Sequence, residues 1–179
     1  YAHYEQSRLQ MEARKQAEAA APQQPSSTPD PKVQEVLDRG NAYLREIRRC
    51  NDEIPGEEIS AKISRMEAIV QRIFERAKAH PEIIPDLKKL MDYYLPMTIK
   101  LLNAYADMDR QPIQGDTIRA SKQEIDTTLD TLNLSFEKLL DSVFQDTAMD
   151  VSSDISVLHT LLAQEGLTGD DFSNTKQVE

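Results

Sequence analysis

Ile59-Ser-Ala-Lys-Ile63-Ser-Arg-Met66-Glu-Ala-Ile69-Val70-Gln-Arg-Ile73-Phe74-Glu-Arg-Ala77 is the stretch that decides the fold. Ile59, Ile63, Met66, Val70, Ile73 and Ala77 alternate by four and three, the repeat of a helix that buries one stripe. Ile69 and Phe74 widen that stripe, so a broad buried face is expected. Glu57 and Glu58 precede it, where carboxylates suit the positive end of the helix dipole.

The same period runs outward in both directions. Upstream, Asp30-Pro31 reads as N-cap and N1 of a helix carrying Val33, Leu37, Gly40, Leu44, Ile47 and Ile54, stopped by Pro55. Downstream, His80-Pro81-Glu82 opens a third helix, with His80 read as its N-cap. Its expected seam is Leu87, Met91, Tyr94, Thr98, Leu101, Tyr105 and Met108. Pro96 lies inside that seam and predicts a kink, with the stripe continuing in phase beyond it. After Gln111 to Gly115, a fourth helix starts at Asp116 or at the capping box Ser121 to Glu124. Ile118, Ile125, Leu129, Leu132, Phe136, Leu139 and Val143 form its seam. Ile155, Leu158, Leu161 and Leu162 predict a short fifth helix, capped by Ser152 or Ser153, stopped by Gly166 and packed across one end or groove. No segment alternates with period two. The expected fold is all-α, an antiparallel bundle of four long helices plus a short C-terminal helix.

The ends read differently. Residues 1–21 are good helix formers without a convincing stripe, an exposed helix or tether. Residues 22–31 hold four prolines and predict a semi-rigid linker. The bundle domain is expected over 32–166, and 167–179 as an acidic flexible tail. Residue 1 is Tyr, so the natural start is expected upstream.

The 179 residues carry a net charge of −10, and five of those negative charges fall within residues 150–179. That balance argues against nucleic-acid binding. The lone cysteine excludes an internal disulfide and fits a reducing compartment, and no run approaches a membrane span.

Candidate chemistry is sparse. Cys50 has Gly56 where a cysteine phosphatase needs arginine, and it reads as a small packing residue. Asp107-Met-Asp109 resembles a paired-aspartate phosphatase site but ends a helix rather than a strand, so a solvated helix end is the simpler reading. His3, His80 and His159 lack a second ligand at helical spacing, and His159 reads as a partly exposed packing residue. Asp52, Glu53, Glu57 and Glu58 form an acidic corner explained by helix-end electrostatics. No metal, no cofactor and no catalytic residue is expected. Basic groups concentrate at Arg45, Arg48 and Arg49, where Arg48–Asp52 and Arg49–Glu53 are expected to pair. Arg65, Arg72 and Arg76 share a second helical face. That face and the tyrosines Tyr93 and Tyr94 beside Pro96, with Tyr105 further along, are the candidate partner-binding residues. The simpler alternatives are a solvated face and core or rim tyrosines.

Four stretches together resemble one bacterial family. They are Asn51-Asp-Glu-Ile-Pro-Gly-Glu-Glu-Ile-Ser-Ala-Lys-Ile-Ser-Arg65, His80-Pro-Glu, Met91-Asp-Tyr-Tyr-Leu-Pro-Met-Thr-Ile-Lys-Leu-Leu102 with Asn-Ala-Tyr105, and Gln145-Asp-Thr-Ala-Met-Asp-Val-Ser-Ser-Asp-Ile-Ser-Val-Leu158. They are similar to the 5-bromo-4-chloroindolyl phosphate hydrolysis protein family, also called XpaC, over roughly residues 36–167. The resemblance implies membrane segments upstream of Tyr1, tethering on the cytoplasmic side, and a protein partner of the TelA toxic-anion-resistance type. It supplies no agreed catalytic residues. A non-enzymatic interaction module is the first expectation and phosphomonoester hydrolysis the alternative. The sequence leaves oligomeric state open.

Overall fold

The computed structural model describes residues 10–12 and 30–167, and the rest of the expected tether, most of the linker and the tail beyond Leu167 lie outside them. Helix α1 (Pro31–Glu53) begins as its sequence dictates, with the Asp30 carboxylate accepting from the Lys32 amide at 2.9 Å. Pro55 and Gly56 turn the chain into α2 (Glu57–Ala79), and all eight of its expected core residues are buried. A third rod follows without a gap, as a 3-10 helix (Pro81–Leu87), a π-helical turn (Leu90–Tyr94) and α3 (Leu95–Asp109). Next come α4 (Asp116–Ser142) and α5 (Gln145–Gln164).

The architecture is the expected all-α bundle. Helices α1 and α2 form one antiparallel hairpin, and the third rod and α4 form another. The hairpins stack so that α1 runs parallel beside the third rod and α2 parallel beside α4. Side-chain pairs fix this order. Arg39 meets Asp92 and Cys50 meets Asn103 along one parallel interface, while Lys62 meets Asp130 and Arg65 meets Glu137 along the other. One apolar core, including Ile47, Ile63, Met66, Leu95, Leu102, Leu129 and Phe136, fills the space between all four.

One local expectation is corrected. The third seam does not stay in phase. After Met91 the buried line is Leu95, Thr98, Leu102 and Ala106, so Tyr94 is exposed and Leu101, Tyr105 and Met108 are only half-buried. A π-turn causes the slip, because it spends one extra residue and rotates everything after it. The Leu95 amide reaches back to the Leu90 carbonyl, and Pro96, which has no amide to place, follows directly. Helix α4 starts at Asp116, the earlier of the two expected places, with Gly115 at the N-cap position. His80 occupies the N-cap position as expected, without a side-chain capping bond, and its Nδ1 lies 2.9 Å from Glu82 Oε1.

The largest correction concerns the C-terminal helix. It is not short, and it does not pack. Val143 and Phe144 stay in the right-handed helical region, α5 begins at Gln145, and Ser152 and Ser153 sit within it rather than capping it. None of its twenty residues is buried. It ends as expected at Gly166, whose φ of 70° lets the Leu167 amide reach Leu162 O and the Gly166 amide reach Ala163 O.

Candidate functional site

The three arginines of α2 share a face, and that face borders α4 and the α4–α5 junction. Arg65 donates through Nε to Glu137 Oε1 at 2.9 Å. Arg76 lies 4.0 Å over the Phe144 ring and donates from Nη2 to Thr147 Oγ1 at 2.5 Å, so it clamps the base of α5. Arg72 is the most open, 74% exposed, with Glu75 3.8 Å away. The row that looks like one basic face in sequence is thus two internal ties around one open cation. On α1, Arg49 pairs with Glu53 as expected and also with Glu46, but Arg48 reaches Glu67 on α2 instead of Asp52.

Tyr93 and Tyr94 stand on the outer side of the π-turn, 68% and 46% exposed, beside Met97 at 55%. Tyr94 also lines a groove of about 300 Å³ with Leu90, Leu132, Phe136 and Leu139. Tyr105 lies apart, about 16 Å further along the rod at helical rise. Burial pushes its phenol above the usual value, and the Lys122 ammonium sits 5.5 Å over its ring.

Two larger grooves flank α2. The first, about 430 Å³, contains Lys62, Arg65, Asp130, Asn133 and Glu137. Asp130 and Asp126 bind the Lys62 ammonium at 2.8 and 3.0 Å and hold it above the ordinary lysine value, while the Asn133 amide donates to Lys62 O. The second, about 480 Å³, combines Arg119 and Lys122 with Glu57, Glu58 and Asp126. Each cation in these grooves faces carboxylates, so neither presents net positive charge to a phosphate.

The suspected chemical groups have structural partners. Cys50 is fully buried, its thiol donates to Asn103 Oδ1 at 3.4 Å, and burial raises its pKa. A nucleophilic cysteine needs the opposite shift. Asp107 and Asp109 diverge at the end of α3, toward Arg110 at 3.1 Å and Lys122 at 2.8 Å. Glu53 of the acidic corner is shared by Arg49 and Arg110. Among the described residues no three His, Cys, Asp or Glu gather as a metal site, and no helix is long and apolar enough to cross a membrane.

What the sequence reading missed is the surface of α5. Val151, Ile155, Leu158 and Leu161 are 47–53% exposed, Val157 is 60% and Met149 69%. The signal was present: Phe144, Ala148 and Val151 extend the Ile155–Leu158–Leu162 stripe backward at the same alternating spacing. His159, expected as a partly exposed packing residue, is exposed with them.

The family model described as 5-bromo-4-chloroindolyl phosphate hydrolysis protein matches residues 5–158. The chain belongs to this family. The matched span begins nearer the N-terminus than the residues 36–167 that carry the resemblance, and it stops within α5. No curated protein and no solved structure matches the chain.

Proposed function

We propose that this member of the indolyl-phosphate hydrolysis family is a non-enzymatic helical interaction module. It works on the cytoplasmic side of a bacterial membrane, tethered by segments preceding Tyr1, with a TelA-like toxic-anion-resistance protein as partner. One observation carries the interaction reading: α5 extends from a well-packed bundle with its apolar stripe uncovered. A helix so rich in Ser, Thr, Asp and β-branched residues is marginal in water without packing, so a partner surface is the physical complement of such a stripe. Tyr93, Tyr94 and the Arg65–Arg72–Arg76 edge are secondary contacts in this reading. The membrane tether and the TelA-like partner rest on family resemblance.

The direct test is a pull-down of a purified TelA-like protein from the same genome by the full chain, at low and moderate salt. Capture at both salts supports the proposal; no capture at either contradicts it. The family's description favours a second reading, phosphomonoester hydrolysis. Such chemistry needs a nucleophile or activated water and uncompensated cations around the phosphate. Turnover of 5-bromo-4-chloroindolyl phosphate by pure protein, abolished by one substitution in a groove beside α2, would favour that second reading over the first.

A further inference from the structure

Every residue from 148 to 161 in α5 is exposed. Phe144, Ala148, Val151, Ile155, Leu158 and Leu162 alternate by four and three, the seam that one helix offers to another. At helical spacing Asp154 and Glu165 fall along one edge of this seam, with Asp150 just behind, while Gln145, Ser152 and His159 line the other. From Leu139 to Thr175 the chain has no Lys or Arg. The seam is therefore apolar in the middle and acidic on one side, and beyond Arg76 at its base it has no Lys or Arg of its own. Its base is fixed, because Arg76 holds both Phe144 and Thr147.

These features discriminate between occupants. An anionic bilayer meets unfavourable charge at Asp150, Asp154 and Glu165. A second copy docked helix to helix brings the same carboxylates, and its α5 has no Lys or Arg to answer them. A helix with an apolar stripe and basic flanks satisfies both the seam and its edge. We infer that α5 is the docking helix for an amphipathic partner helix whose apolar stripe is bordered by Lys or Arg. This names the chemistry of the partner and rests on the interaction-module reading above.

The experiment uses the full chain and two synthetic peptides of about three heptads. Both carry the same Ile/Leu stripe; one has Lys at the flanking positions and the other Glu. Calorimetric titration is expected to show binding of the Lys peptide, weakening with salt, and about tenfold weaker binding of the Glu peptide. The double change D150K/D154K should reverse that preference, and V151S/L158S should remove binding of both. None of these positions is buried, so circular dichroism and thermal unfolding should confirm an intact bundle in each variant.

Equal binding of the two peptides, or none by either, overturns the inference. So does binding to anionic vesicles, or a concentration-dependent dimer in sedimentation, that V151S/L158S abolishes; either result gives the seam another occupant. The two proposals fail separately. Capture of the TelA-like protein without recognition of the Lys peptide sinks only the α5 assignment. Recognition of the peptide without that capture sinks only the named partner.

Discussion

Gly40 sets the distance between α1 and α2. A Cβ at this position would lie 2.6 Å from the tip of the Phe74 ring, which is itself buried in the core. Alanine would gain about 1 kcal/mol of helix propensity but overpack a filled site at a cost of about 1–3 kcal/mol. Gly40→Ala is therefore expected to destabilise the bundle by about 1 kcal/mol, measured as a lower urea midpoint. Cys50 gives a second prediction. Burial raises its thiol pKa in the folded state, so its contribution is complete below the unfolded value of about 8.5 and declines as pH rises from there through the folded value. Stability should fall above about pH 8.5, and Cys50→Ala should flatten that slope in denaturant titrations at successive pH values. A thiol reagent should label Cys50 only as fast as the chain opens. The gap at Gly40 could be noticed in sequence as a small residue in an apolar seam; the ring that fills it could not.

At the scale of the element, α2 was fully legible and the third rod was not. Every apolar residue in the α2 stripe is buried because an unbroken α-helix keeps 3.6 residues per turn from end to end. The third rod changes its period twice, and its π-turn moves the core line from Tyr94, Leu101 and Tyr105 to Leu95, Leu102 and Ala106. Pro96 marked the place, but a backbone insertion of this kind leaves no composition signal. It also turns Tyr94 outward, which produces the exposed Tyr93–Tyr94 pair. Helix α5 shows the converse: its stripe was legible, but a stripe does not say what covers it. The two kinds of seam should respond differently to truncation. Leu129→Ala, at a fully buried site, is expected to cost about 2–5 kcal/mol. V151S/L158S should leave the unfolding free energy within about 0.5 kcal/mol of wild type.

Across the whole molecule, two hairpins make one core and the remaining helix is offered outward. Charge follows the same division. Arg39–Asp92, Lys62–Asp130 and Arg65–Glu137 tie the hairpins together across the bundle. From Val143 to Thr175 no lysine or arginine of the chain accompanies the carboxylates of α5. The overall bundle was readable from four seams at helical spacing; the uneven distribution of surface appears only when the packing order is known. In the proposed reading α5 is the surface on which this protein meets its partner. Hydrogen–deuterium exchange on the full chain, with and without the TelA-like protein, tests it most directly. The amides from 148 to 162 are expected to exchange rapidly in the free protein and those in α2 and α4 slowly, with strong protection of α5 when the partner is added. Protection confined to another surface, or α5 amides already slow in the free monomer, would contradict that reading.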